Sequence, residues 1–137
     1  MDMKLTSLSR QALSLAAING FFVVAIGAFG AHLLEQKIPA ELMSVFETGV
    51  QYHMFHVLAL LSTGLLAAIK EDGVWLNWCL RLFMAGIILF CGSLYVLALT
   101  GISRLGMITP LGGVCFLAGW GLMFYFIVIK KEFTSHE

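Results

Sequence analysis

Charge is what this chain has least of. Of 137 residues, 8 are Lys or Arg and 8 are Asp or Glu, 12% in all, where an ordinary soluble domain carries about a quarter. The formal net charge is zero, so no basic surface points to nucleic acid. Cysteine is sparse: Cys79, Cys91 and Cys115 are odd in number, lie in or beside apolar stretches and form no CxxC pair, which offers no evidence of a disulfide framework and reads as small buried hydrophobes. There are 2 prolines. Serine-nucleophile motifs, glycine-rich phosphate loops, HExxH and zinc-finger spacings are all missing, so hydrolase and kinase readings have no support.

Apolar residues make up 60% of the chain and the mean hydropathy is +0.93. A soluble core of this size could not hide that much apolar surface, whereas lipid tolerates it. Four stretches stand out, at about 12–34, 52–69, 82–100 and 110–129, and none contains Asp, Glu, Lys or Arg. Each approaches the ~20 residues a helix needs to cross about 30 Å of hydrocarbon. Barrel strands are about half as long and alternate in polarity, so a strand reading fails. The expected fold is all-α: residues 1–137 as a single polytopic domain, a bundle of four transmembrane helices. The first stretch follows Lys4 and Arg10 as a signal peptide would, but it exceeds the ~7–15 apolar residues of a signal core and should remain as an anchor.

Lysine and arginine set the expected topology. Lys4, Arg10, Lys70, Arg81, Lys130 and Lys131 fall on one side, with only Lys37 and Arg104 on the other. The bias places both termini in the cytoplasm. Trp75 and Trp78 then belong to the cytoplasmic aromatic belt. Lys70-Glu71-Asp72-Gly73 is a short polar turn that makes the second and third spans antiparallel neighbours.

The first outer connection has its own pattern. Pro39 and Glu41 suit a helix start, and Leu42, Val45 and Phe46 recur at helical spacing. This predicts a short amphipathic helix at the interface between the first two spans, turning into the second at Gly49. The alternative is one continuous helix over residues 39–69, bent at Gly49. At the second outer connection, Thr109 suits an N-cap and Pro110 a first helical position.

Helices in lipid associate through small residues and occasional polar bonds. Ala16, Gly20, Gly27 and Ala31 mark the first span, Gly86 and Gly92-Ser93 the third, and Gly112, Gly113, Gly119 and Gly121 the fourth. They read as packing within one subunit, with a homo-oligomer contact as the alternative. Asn19 is a mid-membrane amide that should bond to another helix.

The candidate chemistry is histidine. His32 lies near the outer end of the first span, and His53 and His56 lie at i and i+3 at the outer start of the second. At one depth they could converge on a metal or a haem iron, with Glu47, Gln51 or Tyr95 completing the shell. The competing reading is interhelical hydrogen bonding, with no cofactor. Arg104 and the helix start at Thr109-Pro110 could hold a small anion or lipid phosphate, against a plain capped helix.

The blocks Gly27-Ala28-Phe29-Gly30-Ala31-His32, Thr48-Gly49-Val50-Gln51-Tyr52-His53-Met54-Phe55-His56 and Gly92-Ser93-Leu94-Tyr95 stand in that order. Thr109-Pro110-Leu111-Gly112-Gly113 and Phe116-Leu117-Ala118-Gly119-Trp120 follow. This pattern, over nearly the whole chain, resembles the YgdD/YwdK family. The resemblance implies a small bacterial inner-membrane protein of four helices and supplies no reaction. It marks His32, Tyr52, His56, Tyr95 and Thr109 among its motif positions, and favours His32 with His56 over a mechanism needing His53. The functional expectation is a non-enzymatic helper or scaffold in the lipid bilayer, binding a lipid, small ligand or membrane-protein partner at an outer-facing polar pocket of His32, Tyr52, His56, Tyr95, Arg104 and Thr109. The alternatives are a metal or haem redox protein on His32, His53 and His56, and a small channel or transporter for a neutral solute.

Overall fold

The computed structural model describes residues 5–70 and 73–133, without the side chains of residue 31 and residues 129–133. Lys4, Glu71 and Asp72 lie outside the described residues, as do the side chains of Lys130 and Lys131. Every regular element described is helical. The chain runs α1 (Ser7–Ala25), a π-helical turn (Ile26–Gly30), α2 (Ala31–Leu34), α3 (Ala40–Ile69), α4 (Gly73–Gly86), a second π turn (Ile87–Cys91), α5 (Gly92–Thr100), a 3-10 turn (Ser103–Met107) and α6 (Thr109–Phe133).

These elements join into four helices long and apolar enough to cross a bilayer: Ser7–Leu34, Ala40–Ile69, Gly73–Thr100 and Ser103–Val128. All four begin before the charge-free stretches do, because a helix stops where its backbone bonds stop and not where its hydrophobicity does. The third gains nine residues at its start, so Arg81 lies within α4, exposed, with its guanidinium 5.5 Å from the Trp78 ring. Such a cation snorkels along its own stem toward the interface.

Of the two readings of residues 39–69, the continuous helix is the one observed, and the short separate helix is absent. Gly49 sits in mid-helix, buried, where a methyl group would meet the Tyr95 ring at 2.9 Å. Its missing side chain serves a close approach, not a turn. The first ten residues of α3 still carry Glu41 and Glu47 on exposed positions.

Local signals fix the helix ends. Thr6 caps α1 by accepting from the Ser9 amide at 3.1 Å, and its hydroxyl donates to the Ala67 carbonyl at 3.4 Å, pinning the start of α1 to the end of α3. Gly101, at φ 70°, ends α5 in the left-handed conformation. Thr109 is not the cap expected of it. The 3-10 turn runs straight into α6, and the Ile108 carbonyl takes the Leu111 and Gly112 amides. The Thr109 hydroxyl instead bonds Ser93 Oγ at 2.8 Å, joining the third and fourth spans.

The second and third spans are central; the first packs along α3 and the fourth along α4 and its π turn. Both outer seams are antiparallel and built from glycine. Along the first, Gly20 faces Val57, Gly27 faces Val50, Gly30 faces Phe46 and Gly64 faces Leu13. Along the second, two aromatic knobs fill reciprocal holes: Phe116 occupies the space above Gly86, and Phe83 lies 2.8 Å from where a Gly119 methyl would be. At Gly112 the close approach is against the backbone of Phe90 itself. Lipid gives no hydrophobic gain for helix contact, so this interlocking supplies van der Waals attraction in its place. Ala12, Ala16, Ala59, Leu60, Cys79, Phe83, Cys91 and Phe116 form the centre of the core. The large apolar side chains left outside, such as Phe21, Phe22, Val114, Leu117 and Phe124, are what a bilayer-facing surface requires.

Candidate functional site

Two polar assemblies lie inside the bundle, both anchored on α3. The first crosses three spans. Asn19 on α1 donates from Nδ2 to the Leu15 carbonyl at 2.8 Å, a group that can only accept, so its Oδ1 faces His53 at 3.1 Å. His53 Nε2 must therefore carry the proton and donate. Its Nδ1 is then an acceptor and takes the hydroxyl hydrogen of Tyr95, on α5, at 3.1 Å. The chain reads Tyr95 O–H to His53 to Asn19 to Leu15, one direction throughout. Asn19 Nδ2 also lies 3.6 Å from Met84 Sδ on α4. The expectation that Asn19 bonds across to another helix is met twice.

The second assembly joins α3 to α6. His56 Nδ1 lies 2.7 Å from the Tyr52 carbonyl and must donate to it. Trp120 Nε1, a donor only, lies 3.1 Å from His56 Nε2, which must accept. As neutral rings the two imidazoles are opposite tautomers, His53 protonated at Nε2 and His56 at Nδ1. His56, 2% exposed, also stacks on Phe116 with ring centroids 3.4 Å apart and planes 10° apart.

This geometry corrects the expected metal cluster. His53 and His56 diverge, one toward α1 and α5, the other toward α6, and all four ring nitrogens are engaged by protein groups. Neither offers a lone pair to a metal or haem iron without first losing a helix contact. His32 is exposed on α2. The seam pairing Gly30 with Phe46 and Gly27 with Val50 puts it more than about 10 Å along the axis from His53. The three histidines therefore do not share a depth, because α3 begins twelve residues before the apolar stretch expected from about residue 52 and carries His53 downward. Among the described residues no three His, Cys, Asp or Glu side chains are placed to hold a metal. Glu47 and Gln51 line a separate hollow of about 190 Å³ beside Gly27 and Phe46.

The expected pocket around His32, His56 and Tyr95 is likewise not formed. Tyr95 is spent in the first assembly, packed against Phe46 and Gly49. Arg104 is exposed on the 3-10 turn, and the amides of Leu111 and Gly112 that would have faced an anion go to Ile108. What the fold does make is a groove of about 430 Å³ between α3 and α6. Tyr52, Phe55 and His56 form one wall. Pro110, Gly113, Val114, Phe116, Leu117 and Trp120 form the other, with Phe90 of the π turn between them. Tyr52 and His56 are the two expected residues it retains. Phe55, Phe90, Phe116 and Trp120 were not singled out from sequence as site residues; Phe55, Phe116 and Trp120 had a place in the motif blocks, indistinguishable there from core aromatics, and Phe90 had no signal.

No charged side chain lines this groove. Its rim, with Phe55, Val114 and Leu117 exposed, opens sideways toward lipid. The polar atoms of His56 and Trp120 consume one another. The Tyr52 hydroxyl, on a side chain 45% exposed, has no hydrogen-bond partner among the described residues. An aromatic cleft with one hydroxyl unpaired among the described residues has the chemistry of a binding surface.

Known proteins place the chain among integral membrane proteins. A family model described as a protein of unknown function (DUF423) matches residues 26–113. The chain is 44% identical over 131 residues to the UPF0382 inner membrane protein YgdD of Escherichia coli strain K12, covering 94% of this chain and 98% of that one. It is 52% identical over 110 residues to the UPF0382 membrane protein YwdK of Bacillus subtilis strain 168, covering 77% and 86%. The UPF0382 membrane protein SSP2132 of Staphylococcus saprophyticus is 47% identical over 107 residues, covering 77% and 87%. No solved structure matches the chain.

Proposed function

From the premise that the chain belongs to the DUF423 family and is an integral membrane protein, we propose that it is a non-enzymatic binding protein whose ligand enters the α3–α6 groove from the bilayer. One observation carries this reading. The groove of about 430 Å³ falls within the usual size of a small-molecule site, opens on the apolar outer surface of the bundle, and draws motif-block residues from two distant stretches of the chain, 52–56 and 110–120. The remote end of the bundle, holding the 35–39 and 101–108 connections, is on this reading the outer side, and both termini are cytoplasmic. The polar Tyr95–His53–Asn19 chain holds α1 and α5 on α3 and so keeps the α6 side of α3 free to line the groove.

Gly113 gives a clean test. A methyl group there meets only Phe90 ring carbons at 3.9 and 4.0 Å, an ordinary contact, so Gly113→Leu fits at its base and fills the groove beyond it. Protein extracted into native-lipid nanodiscs and dissociated in a mass spectrometer should release a tightly held lipophilic molecule from wild type and not from Gly113→Leu. Equal yields from two equally folded proteins refute the binding site.

A further inference from the structure

The lipid-facing side of α3 carries a feature that neither the groove nor the Tyr95–His53–Asn19 chain uses. Glu47 and Gln51 are exposed, and among the described residues neither has a hydrogen-bond or ion-pair partner. They do not stand at the end of the bundle. Gly30 faces Phe46 and Gly27 faces Val50, so Leu34, which ends the first span, is level with Leu42. Glu47 and Gln51 lie roughly 7 and 13 Å inside that level, beside the π turn Ile26–Gly30. The hollow they line is otherwise apolar, walled by Gly27, Phe46 and Val50. A carboxyl and an amide left unanswered beside lipid are costly, and an ionisable group inside a span marks a contact or a site. Below them on the same side of the helix come Met54, Leu58, Leu61 and Leu65, all exposed. From Glu47 to Leu65 the steps alternate between four residues and three. None of the six side chains lines the groove.

That alternation is the spacing of a parallel two-stranded coil, in which each side chain inserts among four of the facing helix. In such packing Glu47 reaches the residue four further along the facing chain. An acceptor at 47 and a donor at 51 therefore complete each other across a two-fold axis. The Gln51 amide N–H donates to the partner's Glu47 carboxyl, and the reverse bond follows by symmetry. A carboxyl oxygen accepts whether or not the group is protonated. Two copies insert with the same orientation, so their α3 helices run parallel, as this pairing requires. A foreign helix needs the complementary pair at the matching depth; a second copy already carries it. We infer that the protein pairs with a second copy of itself along α3. Glu47 and Gln51 form the reciprocal hydrogen bonds, and Met54, Leu58, Leu61 and Leu65 pack the remainder of the contact.

Full-length protein in vesicles of phosphatidylethanolamine and phosphatidylglycerol tests this in two ways. Under copper-phenanthroline oxidation, Leu58→Cys and Leu65→Cys should form disulfide-linked dimers above the background set by the 3 native cysteines. Phe21→Cys and Phe124→Cys, exposed on the first and fourth spans, should not. Energy transfer between donor- and acceptor-labelled copies, followed as lipid is added, gives the dissociation constant. Gln51→Leu and Glu47→Leu each remove both reciprocal bonds and should raise it about tenfold or more. Glu47→Gln keeps an acceptor in place and should stay within about threefold of wild type. All three changes fall on exposed positions and should leave the circular dichroism spectrum unchanged. Gly113→Leu, which fills the groove, should pair as wild type does, so the two readings stand or fall separately. Energy transfer that does not depend on dilution, or an unchanged dissociation constant in Gln51→Leu, overturns the pairing. So do dimers linked through Phe21→Cys or Phe124→Cys in place of Leu58→Cys, and linkage of Leu58→Cys in whole membranes to a different protein only.

Discussion

Asn19→Leu is the most informative single change in the bundle. The two side chains are close in size, so the substitution removes polarity with little change in volume. It deletes the acceptor for His53 Nε2–H, which lies on a residue 4% exposed and has no second acceptor among the described residues. The bond to Leu15 is lost too, but that carbonyl keeps its helix amide, so this loss is minor. An unpaired buried donor costs about 1–3 kcal/mol. Interhelical bonds in bilayer proteins measure about 0.6 and at most about 1.7 kcal/mol, because the unfolded chain also finds partners. The expected loss is therefore about 1–2 kcal/mol. The same asymmetry predicts that removing every member of the chain is gentler than removing one: Asn19→Leu with His53→Leu and Tyr95→Phe leaves no orphan and should be at least as stable as Asn19→Leu alone. Reversible unfolding in mixed micelles with increasing dodecyl sulfate, followed by circular dichroism, measures both. A single variant within about 0.3 kcal/mol of wild type, or a triple variant clearly below the single, would refute the directional chain.

Three further outcomes are expected. Nitrogen-15 spectra of histidine-labelled protein should show His53 as the Nε2–H and His56 as the Nδ1–H neutral tautomer; finding one tautomer for both contradicts the bonding derived above. Gly112→Ala drives a methyl into the Phe90 backbone, which cannot yield as a side-chain tip can, and should destabilise by about 1–3 kcal/mol. Gly121→Ala meets nothing within 4 Å and should stay within about 0.5 kcal/mol, a contrast that the same unfolding assay reads directly. Single cysteines at Lys37 and Arg104 should react with an impermeant maleimide from outside intact cells, while one at Lys70 should not; the reverse pattern would invert the proposed orientation.

The spans were legible in the sequence because solubility in lipid is a property of composition. A run of about 20 apolar residues without charge has one cheap environment, whatever it packs against. Boundaries were less so: Arg81 and residues 40–49 look like connections by hydropathy, yet the backbone remains helical through them. The two π turns, at Ile26–Gly30 and Ile87–Cys91, gave no signal beyond the glycines near them. The histidines were legible as polar groups needing partners, and so was the reach of Asn19 to another helix. Which partners each would find was not.

That last choice belongs to tertiary structure alone. In water, an amphipathic stripe tells which face of a helix turns inward. In a bilayer the inward and outward faces are equally apolar, and the stripe disappears. Register between helices is then set by steric interlocking: Phe116 over Gly86, Phe83 over Gly119, Tyr95 against Gly49. A shift of α6 by one turn would send Trp120 past His56, and a shift of α5 by one turn along α3 would separate Tyr95 from His53. The sequence determined that four helices cross the membrane and that their polar side chains must pair. The fit of aromatic rings onto glycines decided that His53 closes a structural chain and that His56 lines a groove.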